Sequence, residues 1–347
     1  MPLPKSRKRF RFVLKVADIP VVFTSNVKIG ITPGYKTLLK DFIVNGIPEK
    51  KAASAIRVAV ELVRFLPDHV AGKEITRVSS AGVIDKTCAG ILAKPKRVKR
   101  SLFWKLLRLD DERYVFQGYE SEKLIQVGMI NEKFNRVRLM LPDRVMAGEN
   151  KALHGPHASP NKQWLIDEVV IPFLYVMIEN YLVLNRGCIV HAAGLVLGKG
   201  GALLCVGNSG AGKSTISRLW SAKYDKKKVF NDDRVIVRMR KNRCYLYGTP
   251  WLGDIGIEGY RPVNEGKGLS GVFLLRHSLR NHATKISVND ALPVVLSNSM
   301  VPYSDERQVL RCLMFWEDLF RKIPSYRFGF TKSKRSVDYL SAFAESL

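Results

Sequence analysis

One stretch of this 347-residue chain is built to hold phosphate. Gly207-Asn208-Ser209-Gly210-Ala211-Gly212-Lys213-Ser214 fits G-x-x-x-x-G-K-[ST], and Thr215 follows. Glycines in such a loop let successive backbone N–H groups turn toward one centre with no Cβ in the way. A helix opening at the loop adds the positive end of its dipole. Lys213 is then placed to face the β- and γ-phosphates of ATP, and the Ser214 hydroxyl to ligate Mg²⁺. The bland alternative is a chance glycine-rich turn. Context argues against it, because residues 202–206 read as an apolar strand leading in and 215–222 as a helix leading out.

The second chemical signal is Val229-Phe230-Asn231-Asp232-Asp233. A strand ending in adjacent carboxylates can put one on Mg²⁺ and leave the other facing an acceptor. Only 17 residues lie between Ser214 and Asp232, room for one helix and a turn. The acidic strand therefore follows the P-loop helix directly, unlike in ABC-type and helicase ATPases, and no LSGGQ-like segment is present. An exposed Asp-Asp turn is the plain alternative. His191 lies in an apolar run, 188–197, that Gly198-Lys199-Gly200 separates from 201–206. That pattern predicts a hairpin setting His191 beside the P-loop strand; otherwise it is a core histidine. Weaker candidates are Trp251, in a lid or the core; Glu258, as a second metal or substrate contact; and Arg276, facing the transferred phosphoryl group or solvent.

The order HAAGLVL, GNSGAGKST, NDDRVIV, YGTPWLGD, GVFLL and IPSYRF, over about 165–340, resembles the HPr kinase/phosphorylase-related group. That group shares its core with ATP-dependent phosphoenolpyruvate carboxykinase. The resemblance implies an α/β P-loop domain with a bent mixed sheet flanked by helices. It implies Mg·ATP-dependent phosphorylation of a hydroxyl, either a serine of a protein or peptide or a small molecule. Asp232 would be the general base, His191 its neighbour, and Asp233 and Ser214 the metal ligands. Two other readings stay open. One is a conventional P-loop small-molecule kinase of the adenylylsulfate-kinase type, with a parallel sheet and no role for His191. The other is a nucleic-acid-associated nucleotide-binding protein, suggested by charge, although no nucleic-acid motif is present.

The elements that must position these residues form two predicted domains: a basic α+β domain over 1–150 and the P-loop domain over 151–347, α+β overall. Residues 10–16 read as a strand, 52–65 and 102–109 as helices, 94–100 as a basic run, and 147–163 as a loop or linker. Residues 164–184 read as a helix that Pro172 should kink or break. Hydrophobic content of 46% and charged content of 25% suit a globular chain. The net charge is +26, of which the first hundred residues carry +14. Such an excess suggests an anionic partner, whether a nucleic acid, an acidic peptide or a membrane face, or only a solvated surface, and the 1–150 domain is expected to recognise an acidic acceptor. Five cysteines without a C-x-x-C pair suggest free buried thiols in a reducing compartment, hence the cytoplasm. The longest uncharged apolar run, 169–178, is too short to span a bilayer. A homo-oligomer is compatible with all of this.

Overall fold

The architecture is that of a computed structural model. It describes residues 10–31, 39–44, 54–63, 73–79, 102–120, 123–142, 163–198, 200–251, 263–301 and 305–347. The basic run at 94–100, most of the 147–163 loop and Glu258 lie outside the described residues. The chain forms two compact units. One holds Met1–Lys15 and Ile19–Tyr181; the other holds Val16–Asp18 and Leu182–Leu347, so the division falls inside a helix. Among the described residues no helix is long and apolar enough to cross a membrane.

The first unit contains β1 (Phe10–Val16), β2 (Ile19–Ser25), β3 (Lys28–Gly30), β4 (Ile56–Val63), β5 (Lys73–Ser79), β6 (Leu102–Arg108), β7 (Arg113–Glu120), β8 (Lys123–Asn131), β9 (Arg136–Pro142) and β10 (Gln163–Leu165). Most of α1 (Ile166–Leu184) belongs to it as well. Eight of these strands make one mixed sheet in the order β1-β2-β4-β9-β8-β7-β6-β5. β5 to β9 form an antiparallel meander, while β2, β4 and β9 run parallel. The strand over 10–16 is as expected. The helix expected over 52–65 is instead β4. Its buried Ile56, Val58 and Val60 alternate with exposed Arg57 and Ala59, the period of a pleated strand. The amphipathic helix expected over 102–109 is β6, laddered along its length to β7 with Trp104 and Leu106 buried. Short apolar runs fit both periods, and here partners distant in sequence decided. α1 runs through Pro172 without a break. It covers one face of the sheet, where Phe173 meets Phe116 edge-on at 5.2 Å.

The second unit adds β11 (Gly187–Val190), β12 (Ala192–Val196), β13 (Gly201–Val206), α2 (Lys213–Tyr224), β14 (Val229–Asn231), β15 (Val235–Arg240), β16 (Arg243–Tyr247), β17 (Lys267–His277), β18 (His282–Lys285), α3 (Val288–Ser297), β19 (Ser299–Met300), α4 (Glu306–Phe320), β20 (Ser325–Phe330) and α5 (Lys334–Glu345). Ten strands form a second mixed sheet, ordered β14-β12-β13-β17-β16-β15-β11-β19. β17 bonds β16 at its start and β20 further along, and β20 bonds β18. Alternation along β13 sorts the core. Leu203 and Cys205 face Ile216 and Trp220 of α2 and Val337 and Leu340 of α5. Leu204 and Val206 face Val295 of α3 and Phe315 and Trp316 of α4. Cys188, Cys205, Cys244 and Cys312 are buried and free of disulfides.

Phe273, fully buried in β17, stacks on Tyr326 at 5.3 Å and meets Phe328 and Phe343 edge-on at 6.3 and 6.2 Å. Removing this ring strips one sheet face of its centre. Phe273→Ala should cost the second unit about 3–5 kcal/mol in denaturant unfolding. A loss below about 1 kcal/mol would mean that the neighbours collapse into the space.

Candidate functional site

Strand direction gathers the predicted residues. β12 and β13 are antiparallel with Ala192 opposite Val206, and β17 runs parallel to β13 with Leu274 opposite Val206. β14 is bonded to β12, with Asn231 opposite Gly194. The P-loop after β13, His191 before β12, the Asp-Asp turn after β14 and the end of β17 therefore share one end of the sheet.

The loop itself requires its glycines. Gly210 and Gly212 have φ of 81° and 102°, the left-handed region that side chains resist. A Cβ on Gly212 would also stand 2.5 Å from Phe330 Cζ, and one on Gly207 would stand 2.6 Å from Ala211 Cβ. Helix α2 starts at Lys213, and Ile216 N donates to Gly212 O at 2.9 Å. Lys213 is buried, its Nζ donating to Gly207 O at 2.6 Å and Asn208 O at 3.4 Å. The loop thus curls around its own ammonium. Asn208, Ser209 and Gly210 are exposed, while Ala211, Ser214 and Thr215 are half-buried. Such a ring of N–H groups around a cation fits a polyphosphate.

The acidic turn is equally fixed. Asp233 Oδ1 lies 3.0 Å from His191 Nε2, and Asp233 Oδ2 lies 2.7 Å from Arg234 Nη1. Asn231 Oδ1 accepts from the backbone N–H groups of Asp233 and Arg234 at 2.9 and 3.2 Å. Asn231 Nδ2 donates to Trp251 O at 2.7 Å, and Thr249 Oγ1 donates to Arg234 O at 2.8 Å. Ala192 N donates to Asp233 O at 3.2 Å, joining the turn to β12. Asp232 is buried at 3% exposure.

Two expectations change. His191 does not sit on the hairpin strand. It stands between β11, which pairs with β15 and β19, and β12, which pairs with β13, so the chain changes partners at this residue. Its ring meets Asp233 rather than Asp232. Trp251, at 1% exposure, is a core residue, and Arg276 is exposed at the site's end of β17.

Two residues at the site escaped the sequence reading. Arg234 is 7% exposed in its side chain and pairs with Asp233. A basic residue standing between the aspartates and the apolar run 235–237 was its available signal. His277 follows Arg276, with Nε2 3.0 Å from Gly210 O and its ring 5.4 Å from that of Phe330. No sequence signal marked it, since β17 extends past the expected strand end. Among the described residues no group of three or more His, Cys, Asp or Glu converges as a metal centre. A cation beside the loop would draw on Ser214, a carboxylate and phosphate oxygens, a donor set suited to Mg²⁺.

Gly212→Ala adds a Cβ where both φ and space forbid it, so the nucleotide affinity expected of the P-loop sequence should fall about tenfold or more. Anisotropy of a fluorescent ATP analogue measures this, with circular dichroism checking the fold. Unchanged affinity would separate the loop's shape from its binding.

No protein-family model matches the chain, and no curated protein matches it.

Proposed function

We propose that the chain is a Mg·ATP-dependent phosphotransferase that moves the γ-phosphoryl group to a hydroxyl, on the pattern of the HPr kinase/phosphorylase-related group. One observation carries this reading: a P-loop, an Asp-Asp turn and a histidine bonded to that turn meet at one end of a mixed sheet. A conventional small-molecule kinase of the adenylylsulfate type would have a parallel sheet and no such histidine. Here β12, the immediate neighbour of the P-loop strand, is antiparallel to it.

The chemistry asks mainly for positioning and charge neutralisation. The loop's N–H groups and the start of α2 hold the β- and γ-phosphates. Lys213 exchanges its bond to Gly207 O for phosphate oxygens. The acceptor oxygen forms a bond to the γ-phosphorus as the bond to the β–γ bridging oxygen breaks, and ADP leaves with that electron pair. Asp232 takes the hydroxyl proton. Ser214 and Asp233 are the residues that would hold Mg²⁺, which neutralises charge on the phosphates. Asp233 is compatible with that role although His191 and Arg234 each bond one of its oxygens. An ionised carboxylate offers about four lone-pair sites, and metal-ligating carboxylates are commonly bonded from behind. His191 is a positioning residue acting through Asp233. The acceptor is a serine of a protein or peptide, or a small-molecule hydroxyl.

Lys213→Ala should lower transfer at least a hundredfold, about 2.7 kcal/mol of transition-state stabilisation. Near-normal turnover in that variant would take the P-loop out of the mechanism. The two aspartates should then separate. Asp232→Asn should keep Mg·ATP binding and lose about 10²–10⁴-fold in kcat, the usual worth of a general base. Asp233→Asn should raise the Mg²⁺ concentration needed for half-maximal rate. Identical metal defects in both variants would overturn the division of roles.

A further inference from the structure

The eight-stranded sheet of the first unit has two unlike faces. One carries Val58, Leu139 and Phe116, all buried. On the other, a groove of about 840 Å³ is lined by five arginines: Arg11, Arg57, Arg113, Arg136 and Arg138. Its floor is apolar, with Val22, Ala59 and Met129. That volume lies within the usual range of ligand-binding sites, about 300–1,000 Å³.

Register gathers the arginines. In the parallel pairing of β4 with β9, Arg57 stands opposite Arg136 and Ala59 opposite Arg138. In the neighbouring ladders, Val22 is opposite Arg57, and Met129 is opposite Arg138. Like charges directly opposite each other destabilise a sheet. Arg138 has Glu61 at 2.8 Å and Arg113 has Asp110 at 2.5 Å, but neither acid lines the groove, and among the described residues no acidic residue does. The lining is therefore strongly cationic, over a floor that favours apolar contact.

We propose that this groove binds an extended acidic peptide segment, with several Asp or Glu carboxylates among small apolar side chains. Guanidinium forks match carboxylates bidentately, and the floor takes the apolar side chains. Apart from Ala55, which precedes β4, the lining residues come from six adjacent strands, β1, β2, β4, β9, β8 and β7. Five inter-strand steps of about 4.8 Å span roughly 24 Å. A lone phosphate or carboxylate metabolite cannot reach the arginines at both ends. An extended chain of roughly seven residues can, at about 3.4 Å per residue. Among the described residues no aromatic ring lines the groove, so they offer nucleic-acid bases no stacking platform there. Peptide binding is inferred from this groove alone and does not require that the chain transfer phosphate. If it does, the groove would dock the acceptor.

The test uses the full-length protein without ATP. A fluorescein-labelled peptide alternating Asp or Glu with Ala or Leu is titrated by anisotropy. Its Asn/Gln counterpart, a short oligouridylate and inorganic phosphate serve as competitors. The acidic peptide should bind, and its neutral counterpart should compete about tenfold more weakly or worse. The double variant Arg57→Gln with Arg136→Gln should weaken binding about tenfold, and Arg57→Lys with Arg136→Lys should lose part of that affinity. Both sites are exposed, so unchanged thermal melting and unchanged binding of a fluorescent ATP analogue should accompany the loss. Four results would each overturn the proposal: no peptide binding; affinity indifferent to the double substitution; an oligouridylate that outcompetes the peptide; or phosphate that displaces it as well as free peptide does. Failure of phosphoryl transfer in a separate assay would leave the groove result standing.

Discussion

A strand buried on both faces must hand the chain over to solvent at its end, and β13 does this where its neighbours also end. Its two ladders, antiparallel to β12 and parallel to β17, fix which residues arrive there: Gly207 just after β13, His191 just before β12, and Arg276 and His277 at the end of β17. Apolar packing on each face of β13 by a separate pair of helices holds these ladders in register. A one-residue slip would reverse which side chains face which core, so the register is strongly specified. The phosphate loop and the acidic turn inherit their relative placement from that constraint.

Within the site, bonds inside the turn orient the carboxylates before any ligand arrives. Asn231 caps the turn with both ends of its amide, Thr249 ties its far side, and Arg234 and His191 hold Asp233 between them. Preorganised groups need not reorganise during reaction, which is where an electrostatic site gains its effect. Lys213 is the exception. It bonds the loop's own carbonyls, which on the proposed reading it would exchange for phosphate.

The P-loop was legible because its whole physical requirement lies within nine consecutive residues: glycines at positive φ, a lysine, a hydroxyl and a helix start. The hairpin from β12 to β13 was legible for the same reason. β4 and β6 were not, since their apolar residues fit either period and their ladders join residues far apart, as Arg57 is from Arg136. The pairing of His191 with Asp233 was half legible. Its neighbourhood followed from the hairpin, but the choice of aspartate depends on where the chain leaves β11 for β12. The arginine groove left no trace in the sequence beyond a basic excess, because register across six strands assembles it.

The most direct measurement follows the phosphoryl group. Full-length protein is incubated with γ-labelled Mg·ATP and cell extract, and the label is located. Label is expected in an acid-stable phosphate ester of a hydroxyl, on a protein, peptide or small molecule, and Lys213→Ala is expected to abolish the transfer. Label released only as inorganic phosphate, or turnover that appears only when RNA or DNA is added, would contradict it.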